Sequence, residues 1–254
     1  MSYHDRPEVS ATMIKSMAKG WRVFEAEFIT RTAPRRDTKA LALGTAVHAA
    51  LLEPDRFASD YVVCPDECSD RRTKAYKEWA ASVADDVEIL TQDDAITIER
   101  IKASVFRDDV ANTLINKPGE VEQVRTWTSA NGVECRLRLD KVFGTSAVLD
   151  IKTTQNALPW GFRSTLGDYR YDLQAVHYME GTGAERFFFL VVETVCPWRV
   201  RTYQLVARAL AFAKQQRLEL LDEYKRRIVS GDWSERGENE VLDIDIPEYL
   251  RGEQ

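Results

Sequence analysis

Long apolar runs are missing from this 254-residue chain, and none reaches the ~20 residues that a bilayer-crossing helix needs. The opening, MSYHDRPEVS, also lacks the basic start and apolar stretch of a secretion signal. Cysteine is scarce. Cys64, Cys68, Cys135 and Cys196 form no CxxC pair, so reduced cytosolic thiols are the main reading, with zinc or iron–sulfur ligation as the alternative. Positive charge is not in excess: the formal net charge is -6, which is atypical of a general nucleic-acid coat. Internal repeats and low-complexity segments are absent. The expectation is a soluble cytoplasmic protein with no membrane partner.

What the chain does have is apolar residues, 44% of the total, enough for one large domain or a domain with a helical elaboration. The first half reads as helical. Ser10 can cap a helix carrying Met13, Ile14, Met17 and Trp21 on one face. A second helix runs from about Lys39 to Glu53 and stops at Pro54. DYVVCP is extended, and a polar helix with Tyr76 and Trp79 follows. Thr91 and Asp94 form a capping box for a helix carrying Ile101, Val105 and Leu114, which ends near Pro118-Gly119. Local basic patches are Arg35, Arg36 and Lys39; Arg71, Arg72, Lys74 and Lys77; and Arg136, Arg138 and Lys141. Each patch by itself reads as a solvated face.

From Val121 to Thr154 the period changes to that of strands. In VECRLRLD, Val133, Cys135, Leu137 and Leu139 alternate with Glu134, Arg136, Arg138 and Asp140, so apolar side chains face one way and charges the other. A turn at Gly144-Thr145-Ser146 leads into AVLDIKTT, close enough to pair as a plain or bulged hairpin. A helix from about Asp168 to Glu180 ends at Gly181 and Gly183. RFFFLVVET and WRVRTYQLV read as strands, and Ala207 to Val229 as a long amphipathic helix. The polar tail after Gly231 has Trp233 as a docking point. The order of elements predicts an α/β (α+β) fold with a mixed sheet flanked by helices.

Asp150 and Lys152 lie two residues apart on a strand, so both side chains leave one face roughly 6.5 Å apart. Asp/Glu-x-Lys also begins at Asp37 and Glu223, but only Asp150 sits on a strand flanked by Val148, Leu149 and Ile151. A hairpin brings Asp140 beside Asp150. Two adjacent carboxylates repel unless one takes a proton or a cation lies between them. Magnesium, an oxygen-seeking ion that keeps several waters, suits that place and phosphate chemistry. His48 shares a helix face with Gly44, and Gln174 shares one with Tyr178. Alone, His48 reads as a satisfied core residue, and Gln174 with Tyr178 as an ordinary helix face.

Taken in order, GxxxH, Asp, DxK and QxxxY resemble the PD-(D/E)xK nuclease superfamily, in its RecB-like branch, and specifically RecE-type phage or prophage exodeoxyribonucleases. The likeness covers most of the chain, through EVSATMIKSMAKG, LALGTAVHAALLEP, CRLRLDK, LDIKTT and DYRYDLQAVHY. It implies a restriction-endonuclease-like core within a single nuclease domain, 1–254. Residues 1–118 are its mainly helical part, 119–230 its sheet core with the long last helix, and 231–254 its tail. The resemblance assigns metal binding to Asp140, Asp150 and His48, with the Ile151 main-chain carbonyl as a further ligand. Lys152 positions or activates the attacking water, and Gln174 and Tyr178 support the site and contact substrate. Glu122 fits a further acidic position, with Glu120 as the competing choice. The implied reaction is Mg²⁺-dependent (or Mn²⁺-dependent) 5′→3′ digestion of linear double-stranded DNA from its ends, leaving 3′ single strands. The implied partners are a RecT-like single-strand annealing protein and further copies of the chain in a ring, in a bacterial host's cytoplasm. The alternatives are a structure- or sequence-specific endonuclease of the same core and a non-catalytic DNA-binding recombination scaffold. The iron–sulfur members of the branch need a C-terminal cysteine cluster, which Cys196 alone does not provide.

Overall fold

The computed structural model describes residues 6–34, 38–68, 70 and 72–245. Helix α1 (Ala11–Lys19) begins where Ser10 accepts the Met13 N–H at 3.3 Å, and it stops at Gly20. Trp21 therefore starts a separate short helix, α2 (Trp21–Phe24), although its ring still joins the apolar cluster of α1. α3 (Lys39–Leu52) is capped by Thr38. Pro54 does more than stop it: Pro54 opens α4 (Pro54–Asp60), in a first turn where a missing N–H costs nothing. β1 (Tyr61–Val63) pairs in parallel with β2 (Glu88–Leu90), a strand that periodicity did not predict, across α5 (Lys74–Ala80). The Thr91–Asp94 capping box opens α6 (Gln92–Arg107). The predicted single helix to Pro118 is in fact two, because Asp108 accepts the Ala111 N–H at 2.9 Å and starts α7 (Asp109–Asn116).

The strand region divides between two sheets. β4 (Val124–Thr128) and β5 (Glu134–Arg138) form a hairpin of their own. The central sheet has the order β3 (Glu120–Val121), β6 (Lys141–Phe143), β7 (Ala147–Thr154), β8 (Arg186–Glu193) and β9 (Val200–Tyr203). Only β7 and β8 run parallel, joined through α8 (Pro159–Asp168) and α9 (Tyr171–Thr182), as a parallel pair requires. The hairpin partner of β7 is thus β6, not the VECRLRLD strand. The chain leaves one sheet and enters the other at Asp140.

Alternation along β7 decides what each face meets. Ala147, Leu149 and Ile151 pack with Leu190, Val192 and Val200 against Ala46, Val47 and Ala50 of α3 and Ile98, Ile101 and Val105 of α6. Val148 packs on the other face with Phe187, Phe189 and Val191, under Phe162 of α8 and Ala175 and Tyr178 of α9. The sheet is therefore the middle of three layers, with its core on both faces. A third cluster joins Met13, Ile14 and Met17 of α1 to Leu173 and Val176 of α9, Ala213 and Leu221 of α10 (Ala207–Ser230), and the docked Trp233.

Gly181 does not end α9 but lies inside it, and the C-cap is Gly183 at φ 69°. A Cβ at Gly181 would stand 2.6 Å from Leu137 Cδ2 and 2.7 Å from the Trp127 ring, so its absence lets α9 press onto β4 and β5. Two basic patches change character. Arg136 is buried, and its guanidinium donates to the Arg6 carbonyl. Lys141 is buried, with Nζ donating to the Ile115 carbonyl at 2.6 Å. Arg138 alone of that trio is exposed. Arg72 pairs with Asp70, and Lys74 with Glu78. Arg35, Arg36, Asp37 and Arg71 lie outside the described residues.

Candidate active site

The pairing of β6 with β7 ends at Lys141 opposite Leu149, because the next residue back, Asp140, turns toward β5. The edge of β7 beyond Leu149 loses its backbone partner, and the Asp140 carboxylate takes that role: Oδ2 accepts the Ile151 N–H at 2.7 Å. Within a strand, one residue's N–H and C=O point to the same neighbour. The Ile151 carbonyl therefore faces the same gap as Asp140.

Two more side chains reach this gap. His48, on α3, places Nδ1 3.3 Å from Asp140 Oδ2. Glu122 follows β3 at φ 51°, a left-handed conformation that costs a non-glycine residue about 1–3 kcal/mol. It is held by its own N–H donating to the Asp140 carbonyl at 3.2 Å. One ligand atom each from His48, Glu122 and Asp140 lie within 4.8 Å of one another. Between the two glutamates of this segment, the structure turns Glu122 inward. Glu120 pairs with Arg125 at 3.1 Å on the surface.

Behind the trio, on the α9 face of the sheet, sits the DxK pair. Asp150 is buried and Lys152 nearly so, with Lys152 Nζ 2.5 Å from Asp150 Oδ2. Asp150 Oδ1 accepts from Gln174 Nε2 at 2.7 Å. Gln174 Oε1 in turn accepts from Lys15 Nζ at 2.7 Å and lies 3.4 Å from Lys152 Nζ. Both ammonium groups stand over the Tyr171 ring, at 4.9 Å for Lys15 and 4.5 Å for Lys152. Tyr178, one turn beyond Gln174, is placed in the apolar cluster, with its ring 6.3 Å from that of Phe187.

The electrostatics separate the two aspartates. Burial acts against the Asp140 carboxylate, but His48, Lys152 and the Ile151 N–H outweigh it and hold its pKa below the ordinary value. Burial dominates at Asp150 and, with the Asp140 charge, raises its pKa despite Lys152. Burial and Asp140 likewise raise Glu122. At His48 burial disfavours the imidazolium, yet Asp140 prevails and the pKa lies above the usual value. Lys152 is raised as well, because the two aspartates overcome its burial. Lys15 is pulled down to about 7 by burial and by the Lys152 charge, which outweigh the opposing pull of Asp150 and Asp172.

These donors fit a hard divalent cation. Carboxylate oxygens dominate the trio, with one imidazole, and crowded acids are what a cation relieves. Asp150 Oδ2 is a buried oxygen that makes an ion pair but no hydrogen bond. Asp150 lies outside the tight trio, its carboxylate turned to Lys152 and Gln174.

Lys15 and Tyr171 were missed in the sequence. Lys15 lies beside the apolar stripe of α1 and reads as a solvated position. Only the packing of α1 against α9 brings it to Gln174.

A family model described as a PDDEXK-like domain of unknown function (DUF3799) matches residues 10–243. No curated protein matches the chain. Among solved structures, a protein of Eubacterium rectale named provisionally as an exonuclease superposes with a TM-score of 0.60 at 16% identity, covering 99% of this chain and 98% of its own. A phage-related exonuclease of Haemophilus somnus 129PT is less similar, with a TM-score of 0.37 at 12% identity over 65% of this chain and 91% of its own. An alkaline exonuclease of Laribacter hongkongensis gives 0.33 at 14% identity over 70% and 95%. The first likeness speaks for a shared fold, and the other two superpositions are too loose to carry an argument. The mixed sheet between helical layers and the match over nearly the whole chain agree: the chain belongs to the PDDEXK-like domain family and has a nuclease-like fold.

Proposed function

We propose that this protein is a Mg²⁺-dependent 5′→3′ exodeoxyribonuclease that digests linear duplex DNA from its ends. The 3′ single strands it leaves would be handed to a RecT-like annealing protein for recombination, with Mn²⁺ a working substitute for Mg²⁺. The observation that carries this reading is the convergence of His48, Glu122 and Asp140 beside the Asp150–Lys152 pair. No helix among the described residues is long and apolar enough to cross a membrane.

In this reading His48, Glu122 and Asp140 would hold the cation, with Asp150 and the Ile151 carbonyl beside them. A bound divalent cation supplies Lewis acidity toward a phosphate oxygen and lowers the pKa of a coordinated water. Lys152, kept charged by the aspartates, orients the attacking water and offsets charge developing on the phosphate. Gln174 holds Asp150 Oδ1 and so sets the carboxylate plane. Tyr178 supports the site through packing beneath the sheet. An acidic chain must gather its basic groups locally to meet DNA. A ring of copies with a basic inner wall would do so.

End-labelled linear duplex incubated with Mg²⁺ tests activity and polarity together. The expected result is release of nucleotides from 5′ ends, abolished by EDTA, with closed circles spared. Equal cutting of closed circles would instead mark an endonuclease, and no release at all would overturn the nuclease reading.

A further inference from the structure

Lys15 is a cation without a direct ion pair, although Asp150 and Asp172 act on it from farther off. Among the described residues no carboxylate lies within ion-pair distance of it, and its partners are a neutral amide oxygen and the face of an aromatic ring. A second ammonium, Lys152, shares both of those partners. The Gln174 amide is oriented by this crowding, since only an oxygen toward the two lysines and an NH₂ toward Asp150 satisfies all three neighbours. Like charges brought together under partial burial destabilise a fold unless an anion joins them. Lys152 has Asp150, and the pair Asp150–Lys152 is neutral as a unit. Lys15 has no such contact, and burial, helped by the Lys152 charge, lowers its pKa against the pull of Asp150 and Asp172. Its place on α1, across Gln174 from the DxK strand, puts it at the border of the catalytic group rather than on an outer face.

We propose that Lys15 is a second phosphate-binding residue of this active site, whose counter-ion is a phosphodiester group of the bound DNA. The inference rests on the nuclease reading for the identity of the anion. The presence of an anion subsite rests on the geometry alone. Lys15 then serves two tasks: it contacts a non-bridging phosphate oxygen, and through Gln174 Oε1 it keeps the amide that holds Asp150 in one orientation.

A lysine kept for binding at the expense of the fold makes an unusual prediction, opposite in sign to that for a packing residue. Lys15→Met should melt at a higher temperature than the unaltered protein, because it removes a desolvated ammonium that has no ion pair and stands beside the Lys152 charge. Its affinity for a duplex oligonucleotide, measured by fluorescence anisotropy in EDTA, should fall about tenfold, the scale of one charge-assisted hydrogen bond. The slope of log affinity against log salt should shrink by about 0.9, the share of one duplex phosphate. Lys15→Arg should restore affinity and slope. Inorganic phosphate should raise the melting temperature of the unaltered protein more than that of Lys15→Met. An unchanged slope and affinity in Lys15→Met would overturn the proposal, as would a lower melting temperature with no rescue by arginine. If the unaltered protein releases no nucleotides yet shows the phosphate-dependent shift, the nuclease reading fails and the anion subsite stands. If it digests DNA while Lys15→Met behaves identically, the reverse holds.

Discussion

Replacing Lys152 with glutamine strands a carboxylate. Asp150 is 2% exposed, and the 2.5 Å ion pair to Lys152 is its one cationic contact within ion-pair distance among the described residues; only the Gln174 amide remains once that is gone. Breaking a buried pair by removing one partner costs about 3–5 kcal/mol, and glutamine's own hydrogen-bonding capacity argues for the lower end. At about 2–4 °C per kcal/mol for a chain of this size, Lys152→Gln should melt about 6–12 °C lower in metal-free buffer. Adding Asp150→Asn to the same chain removes the stranded charge and should recover most of the loss. The double-mutant cycle should then show a coupling energy of about 1–3 kcal/mol. Circular-dichroism melts in EDTA measure this directly. Nucleotide release by either Lys152 variant should drop at least about a hundredfold, the scale for losing a group that stabilises transition-state charge. Melting temperatures that are unchanged in Lys152→Gln, or losses that simply add in the double variant, would refute the reasoning.

Two other tests follow from separate parts of the molecule. His177 Nδ1 accepts from Arg217 Nε at 3.0 Å, so the ring proton sits on Nε2, 3.0 Å from the Arg136 carbonyl. Burial and the Arg217 charge bring its pKa down to about 3. Because the unfolded chain takes up that proton near pH 6.5, the stabilisation is complete above that pH and is lost as the pH falls toward 3. This residue alone should make the protein about 2 kcal/mol less stable at pH 5 than at pH 8 in urea titrations, and a His177→Gln variant should lack that share of the pH dependence. At the metal trio, Glu122→Gln should weaken Mg²⁺ binding at least about tenfold by calorimetry, as expected when one of few charged oxygen ligands is lost. Glu120→Gln should leave it unchanged, since Glu120 faces Arg125.

The DxK pair was legible because strand period alone puts Asp150 and Lys152 on one face, and the flanking Val148, Leu149 and Ile151 mark the strand as buried. Period could not show what covers the polar face of a strand. Arg136 alternates correctly with Cys135 and Leu137, yet the segment around Arg6 and Glu8 lies over it, so a residue that reads as solvated is buried. Lys141 is misread for a related reason: Ile115, distant in sequence, supplies the carbonyl that takes its ammonium. The break at Asp108 was hidden because apolar spacing continues across it, and only the Asp108 carboxylate on the Ala111 N–H marks a new start. Glu122 could be told from Glu120 only once the backbone turned into the left-handed region between them and Asp140. The Lys15 contact spans 159 positions, a range that no local pattern encodes.

That same span governs when the site comes into being. A nascent chain emerging from the ribosome presents α1 and α3 long before α9, and until α9 docks the Gln174 amide that holds Asp150 Oδ1 and meets both lysines is not in place. Synthesis order thereby acts as a safety catch, leaving the group around Asp150 and Lys152 unassembled until the chain has been made through Thr182.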